Sequence, residues 1–222
     1  MPHALIVGAS RGIGLEFARQ YRADGWQVTA TARSEAALAA LRALGAAAIA
    51  LDVASAESVS QLAWRIEGSA FDVAILCAGL YGPRTSGLQT PTESDFDQVM
   101  HTNVLGAMRV LPQLADALAA DAKLAVLSSR MGSIGLRAAT SGWLYRASKA
   151  ALNSVLKDTA LILAGRAVCV SFHPGWVRTD MGGEGAELPV QNSVADMRRT
   201  IAALTPADNG RFLNHDGVGL EW

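Results

Sequence analysis

The sequence predicts an α/β protein whose parallel sheet is doubly wound and covered by helices on both faces. Three observations lead there. Seven short, almost wholly apolar runs recur along the chain, and segments with helical spacing of apolar residues separate them. The first run passes through Gly8-Ala9-Ser10-Arg11-Gly12-Ile13-Gly14 straight into a helical pattern, the context in which a glycine-rich turn acts on a ligand. Half of the 222 residues are hydrophobic and 18% are charged, which supplies one sizeable core, so residues 1–222 read as a single domain.

Ala4 to Val7 forms the first strand, and Leu15, Phe17, Ala18 and Tyr21 mark a helix ending near Gly25. At such a junction main-chain N–H groups and the helix dipole hold a pyrophosphate, while the missing side chains let phosphate or sheet approach. Gln27 to Ala32 is the second strand and closes with Arg33. No Asp or Glu lies between Val28 and Ser34, where a carboxylate usually binds the ribose 2′-hydroxyl of the non-phosphorylated cofactor. Arg33 and Arg11 place two guanidinium groups there, which suits a 2′-phosphate and favours NADP(H) over NAD(H). The competing reading has Arg33 capping a surface turn.

A helix from Ser34 to about Leu44 leads to a third strand, Ala46 to Leu51, ending in Asp52-Val53. Asp52 can accept a hydrogen bond from an adenine amino group or cap the helix that begins near Ser55. Phe71 to Leu76 is the fourth strand, and the small residues Cys77-Ala78-Gly79 fit a backbone passing close to a cofactor. Residues 80–92 form a loop, and Ser94 to Leu118 reads as a long helical stretch interrupted by Asn103, Gly106 and Pro112, in which the proline predicts a kink or a split. Ala122 to Leu127 is the fifth strand, followed by Ser128-Ser129-Arg130-Met131-Gly132. A helix from Trp143 to about Gly165 precedes the sixth strand, Val168 to Phe172. Val177 to Pro189 carries the glycines of a lid, then come a helix from Val190 to Leu204 and a seventh strand, Gly210 to His215.

Lys+Arg 19 against Asp+Glu 20 leaves a net charge of -1, so composition favours neither nucleic acid nor an anionic membrane, and the expected partners are small molecules or copies of the chain. Met1-Pro2-His3 runs directly into the first strand without room for an export leader, and no apolar run reaches the roughly 18 residues that span a bilayer. Cys77 and Cys169 sit in apolar runs, as reduced, buried thiols of a cytoplasmic protein would. No two of His3, His101, His173 and His215 have metal-ligand spacing, and no metal site is expected.

Tyr145 and Lys149 lie four apart on a helix, sharing a face. A phenol with a reference pKa of about 10 becomes a useful acid or base at neutral pH when an ammonium stabilises its ionised form. The same spacing is common on exposed helices without any chemistry, so the motif gains weight only from its surroundings.

Those surroundings resemble the classical branch of the short-chain dehydrogenase/reductase family over essentially the whole chain. The matching pieces are Gly8 to Gly14, Asp52, Cys77-Ala78-Gly79 in place of N-A-G, Asn103-Val104-Leu105-Gly106 as N-x-x-G, Ser129, Tyr145 to Lys149, and Pro174-Gly175. The resemblance implies a Rossmann fold of seven strands, with a cofactor half over about 1–120 and a catalytic half over about 121–222. It also implies hydride transfer between NAD(P)(H) and a carbonyl or alcohol. By that likeness Tyr145 is the proton donor or acceptor, Lys149 lowers its pKa and binds the nicotinamide ribose, and Ser129 holds the substrate oxygen. Asn103 completes a water-linked proton relay, and Thr179 contacts the carboxamide end of the cofactor. The implied cofactor-binding set is Gly8, Ser10, Arg11, Gly12, Ile13, Gly14, Arg33, Asp52, Val53, Cys77, Ala78, Gly79, Asn103, Tyr145, Lys149, Pro174, Gly175, Val177 and Thr179.

Two features depart from the family pattern. Ser129 and Tyr145 are 16 apart, so three extra residues are expected to bulge around Arg137 to Gly142, and Ser133 is a rival for the substrate-orienting serine. Cys77 in place of asparagine should alter a structural hydrogen bond near the adenosine side. Met131, Leu136, Trp143, Trp176 and Met181 either line a substrate pocket or belong to the core. Gly132-Ser133-Ile134 leans toward carbonyl-reductase-like and C-factor-like members, which makes a carbonyl reductase of small substrates the expectation and a cofactor-binding signalling protein with little turnover the alternative. Relatives often pair through the helices around Asn103 and Tyr145, so a homodimer or homotetramer is expected.

Overall fold

The computed structural model describes residues 1–222. Strands β1 (His3–Val7), β2 (Gln27–Ala32), β3 (Ala47–Ala50), β4 (Phe71–Leu76), β5 (Leu118–Leu127), β6 (Ala167–His173) and β7 (Arg211–Asn214) form one sheet in the order β3-β2-β1-β4-β5-β6-β7. Every neighbouring pair is parallel. The helices are α1 (Gly12–Ala23), α2 (Glu35–Ala43), α3 (Ala56–Ser60), α4 (Leu62–Arg65), α5 (Glu93–Met100), α6 (Gly106–Ala115), α7 (Trp143–Ile162) and α8 (Val190–Ala203).

Strand β1 shows why helices must cover both faces. Ala4 and Ile6 enter one core layer, Leu5 and Val7 the other, and all four are fully buried. Phe17 of α1, Leu41 of α2 and Met197 of α8 fill the first layer; Val110 and Leu114 of α6 and Leu156 of α7 fill the second. Burying each such side chain contributes roughly 1.5–3 kcal/mol. The chain winds from β1 out to β3, then returns to place β4 on the other side of β1. The connections diverge there, so a crevice opens beyond the carboxyl ends of β1 and β4, where ligands bind in such sheets.

Close backbone approach at the crevice fixes the glycine spacing. A Cβ on Gly8 would stand 2.7 Å from the Ala78 nitrogen, and one on Gly14 would overlap the Gly8 carbonyl oxygen. Thr31 of β2 holds the turn from beside it, accepting from Gly8 N through Oγ1 at 3.0 Å and from Ala9 N through its carbonyl at 2.7 Å.

The long helical stretch differs from expectation in two ways. α6 runs unbroken through Pro112, and of the three expected interruptions the one at Asn103 is realised, as a π-turn over His101–Leu105. The turn's wider winding carries Asn103 inward, where its side chain is tied to Leu80 and Ser148. At the other end, Leu118 belongs to β5 and not to the helix, and the strand begins four residues before the expected Ala122, taking in Leu118 to Asp121. Their Leu-Ala-Ala-Asp composition carries no strand preference; Leu118 is instead recruited by pairing with Phe71, and the register slips before Lys123 while Asp121 takes a left-handed φ of 60°.

Two glycine substitutions separate close approach from conformational strain. Gly14→Ala should lower unfolding free energy by at least about 2 kcal/mol, because the added methyl meets backbone that cannot step aside. Gly25→Ala, at φ 79° with open space around it, should cost only about 1 kcal/mol of left-handed strain. Urea denaturation of both variants checks the order, and equal midpoints would contradict it.

Candidate active site

The cofactor side begins at α1. Arg11 precedes it in extended conformation and makes no side-chain cap, and no acidic residue occupies the first turn, so free N–H groups and the positive helix end face the crevice. Gly8, Ser10, Gly12, Ile13 and Gly14 line that end of the cleft, and Arg33, Asp52 and Val53 line its flank. Arg33 makes no ion pair. Arg11, expected beside it as a second free cation, instead pairs with Asp180 at 2.8 Å, a surface pair worth about 0–1 kcal/mol. The Asp52 carboxylate accepts from Ala54 N at 3.0 Å. Capping of α3 falls to Ser55, which accepts from Ser58 N at 3.2 Å, and this removes the capping role weighed for Asp52.

Cys77, Ala78 and Gly79 form the cleft wall after β4. Cys77 and Ala78 both donate main-chain N–H to the Val7 carbonyl, at 2.8 and 3.1 Å. Cys77 therefore lies just past the strand, partly exposed on the cleft, and not within an apolar run as expected. Burial pushes its thiol pKa up, with the nearby Lys149 amine opposing.

Asn103 lies beneath this wall and is itself absent from the cleft lining. Its Oδ1 accepts from Leu80 N and its Nδ2 donates to the Leu80 carbonyl, both at 2.8 Å, while Nδ2 also donates to Ser148 Oγ at 2.9 Å. The side-chain amide thus clamps the start of the loop after β4 to α7.

Lys149 reaches back to the end of β5, where its Nζ donates to the Leu127 carbonyl at 2.7 Å. A Cβ on Gly132 would stand 2.8 Å from the Lys149 carbonyl carbon, and one on Gly79 would stand 3.3 Å from its Nζ. One turn earlier, the Tyr145 ring stacks on Tyr81 with centroids 4.6 Å apart, and Lys149 Nζ lies 5.7 Å from the Tyr145 centroid. Burial lowers the Lys149 pKa to about 8 and raises that of Tyr145 to about 12. For the phenol, hydrogen bonding to Ser129 opposes burial and Tyr81 adds to it. Burial, and not the Lys149 amine, sets the direction of the Tyr145 shift in the absence of a cofactor.

The two candidate serines separate by their partners. Ser129 faces Tyr145, its Oγ accepting from Met131 N at 3.1 Å. Ser133 is fully buried, donates to the Trp222 carbonyl at 3.1 Å and accepts from Leu136 N at 3.0 Å, which commits it to anchoring its own loop. The extra residues before Tyr145 lie in the exposed loop over 134–142.

On the lid side, Pro174 and Thr179 line the cleft, and Thr179 packs beside Gly12. Gly175 and Val177, expected at the cofactor, do not line the cleft: Gly175 turns the chain at φ 85° against Leu188, and Val177 is buried and bridged to Leu188. Met181 lines the cleft, whereas Trp176 is 57% exposed and donates from Nε1 to the Gly182 carbonyl at 2.9 Å, bracing the lid. Thr31, Leu80 and Tyr81 act in the site without standing out in the sequence. Periodicity assigns Thr31 and Leu80 only to a strand and a loop, and the stacking of Tyr81 on Tyr145 crosses 64 residues of chain. No helix of the structure is long and apolar enough to cross a membrane.

Residues 2–187 match the profile of the short chain dehydrogenase family. The 1-hydroxy-2-glutathionyl-2-methyl-3-butene dehydrogenase of a Rhodococcus strain is 32% identical across the full length of both chains. The C-signal of Myxococcus xanthus is 38% identical over 58% of this chain and 80% of its own. Among solved structures, an NADP-bound short-chain dehydrogenase/reductase from Burkholderia multivorans superposes with a TM-score of 0.90 at 33% identity, covering 100% of this chain and 99% of its own. A Pseudomonas aeruginosa carbonyl reductase in complex with NADP gives 0.88 at 31% identity, over the whole of both chains. With the cleft, the buried Tyr145–Lys149 pair and these likenesses in agreement, this chain belongs to the short-chain dehydrogenase/reductase family of oxidoreductases.

Proposed function

We propose that the protein is an NADPH-dependent carbonyl reductase acting on small carbonyl compounds in the cytoplasm, where its free thiols stay reduced. The observation that carries this reading is the Ser129–Tyr145 pair beside the buried Lys149 amine, at the edge of a cleft fit for a dinucleotide. That fit rests on the cradle that a Cβ at Gly8 or Gly14 would fill and on the uncapped end of α1. Residues 1–222 act as one unit, because the cleft draws on the glycine turn of the first half and on Tyr145, Lys149 and Thr179 of the second.

A bound reduced nicotinamide supplies the hydride; this chain's residues manage position and proton. Ser129 orients the substrate oxygen by hydrogen bonding, and Tyr145, held protonated by burial, donates its proton as that oxygen gains negative charge. Lys149 steadies the phenolate left behind and holds the ribose. Asn103 acts through its main chain, since its side chain is committed to Leu80 and Ser148. Thr179 and Pro174 take the nicotinamide end, and Arg33 the 2′-phosphate. The NADP carried by the Burkholderia and Pseudomonas relatives supports the same cofactor choice. Exposed Phe96 on α5, Met108 on α6 and Leu161 and Ile162 on α7 support pairing into a homodimer or homotetramer.

The likeness to the C-signal supports a second reading, a cofactor-binding signalling protein with little turnover. Following NADPH oxidation against a panel of aldehydes and ketones separates the two. Turnover that falls by about 10²–10⁴-fold in Tyr145→Phe, with NADPH binding retained, supports the reductase. NADPH binding without turnover of any carbonyl supports the signalling reading.

Arg33→Ala should lower the kcat/KM ratio of NADPH over NADH by about ten-fold or more, through loss of charge-assisted bonds to the phosphate. An unchanged ratio would remove Arg33 from that role. The pH profile follows from Lys149. Its cationic form, the one able to steady a phenolate, is lost as pH rises through about 8, while Tyr145 stays protonated. The kcat/KM for NADPH, which reports the free protein, should therefore be level near neutrality and fall above pH about 8; a profile level to about pH 10 would contradict the assignment.

A further inference from the structure

Arg84 lies in the loop between β4 and α5. None of the chain's ion pairs includes it, and no carboxylate stands within salt-bridge reach of its guanidinium. Its two contacts are weak and both lie at the active site. The guanidinium carbon stands 5.4 Å from the centroid of Tyr81, the ring that stacks on Tyr145 at 4.6 Å. One terminal nitrogen donates to the Met181 carbonyl of the lid at a long 3.4 Å. The side chain thus bridges from the aromatic pair that carries the phenol to a lid residue that lines the cleft.

Its base is held in place. The neighbouring Thr85 carbonyl accepts from Gly142 N at 3.0 Å, which joins this loop to the residue directly ahead of α7 and so to the turn that carries Tyr145. Asp180, the acid on the lid, is already paired with Arg11. A guanidinium has five donors in a planar fork, and lying over a ring leaves its edges free. Arg84 is exposed, so one long bond to a carbonyl leaves most of that fork to solvent, and a carboxylate can take the place of water there by two parallel charge-assisted bonds.

We propose that Arg84 is a specificity-determining residue that selects carbonyl substrates carrying a carboxylate at the end remote from the reacting carbon. The inference rests on the reductase reading for the identity of the site, and the substrate class is its own content. With the carbonyl oxygen at Tyr145 and Ser129, the body of the substrate lies along Tyr81 and its carboxylate displaces the Met181 carbonyl from Arg84. The chain's net charge of -1 supplies no general attraction for anions, so the preference is local to this side chain.

The test compares para-acetylbenzoate with para-acetylbenzamide, which differ in charge and hardly in shape. Each is titrated into NADPH-loaded Tyr145→Phe protein, which reports binding through nicotinamide fluorescence without turnover, and each is assayed for NADPH oxidation with the unmodified protein. The benzoate should bind about ten-fold tighter or more than the amide, and added salt should shrink the difference. Arg84→Gln in the same background should remove the preference, and Arg84→Lys, which keeps the charge without the fork, should retain part of it. Equal binding of the two probes, binding of neither, or a preference that survives Arg84→Gln would overturn the proposal. If the Tyr145→Phe complex discriminates while the unmodified protein oxidises NADPH with neither probe, the reductase reading fails, and Arg84 stands as a carboxylate-binding residue but not as a selector of substrates.

Discussion

The site depends on one buried hydrogen bond, from the Lys149 amine to the Leu127 carbonyl at the end of β5. An amine taken out of water is costly unless it is well partnered; burial lowers its pKa to about 8, which leaves it mostly charged at neutrality, and a main-chain oxygen receives it at 2.7 Å. That bond ties α7, which packs on the sheet through Leu152, Leu156 and Ala160, to the carboxyl end of β5. Gly132 must lack a side chain because its backbone rests on that of Lys149, and Gly79 because the amine passes beside it. Tyr145, one turn earlier on the same helix, is thereby set at the cleft with Ser129 opposite.

A second set of contacts holds the opposite wall. The π-turn before α6 points Asn103 at the main chain of Leu80 and at Ser148, so the loop after β4, the helix α7 and the α5–α6 rod are tied at one amide. Ser148 in turn donates to the Tyr145 carbonyl at 2.8 Å, which links this clamp to the backbone of the phenol. The Asn103 and Ser148 side chains beneath the cleft are taken up in fixing geometry, while the glycine-turn N–H groups, Arg33, Lys149, Thr179 and the hydroxyls of Ser129 and Tyr145 line or edge the cleft itself.

The strand–helix alternation and the glycine turn were legible in the sequence because each rests on local pattern: apolar runs that need cover on two faces, and glycines at a strand-to-helix junction. Tyr145 and Lys149 were legible for the same reason, being neighbours on one helix face. What was not legible depends on distant partners. Leu118 joins β5 only because Phe71 is there to pair with it. Arg11 is bound by Asp180 across 169 residues, and its charge alone could not reveal that. Of the breaks that Asn103, Gly106 and Pro112 each offered, the helix yields at Asn103, which has a partner to reach, and continues through Pro112. The sign of the Tyr145 shift was missed because it is set by how completely the ring is enclosed, which spacing does not report.

Enclosure, and not the neighbouring amine, governs Tyr145 in the cofactor-free protein, so that it is held protonated. Ultraviolet difference titration of tyrosinate, taking the protein minus Tyr145→Phe, measures this directly. Tyr145 should show no ionisation below pH about 10, with a midpoint near 12. A tyrosinate signal from that residue between about pH 7 and 8, with no cofactor present, would contradict it.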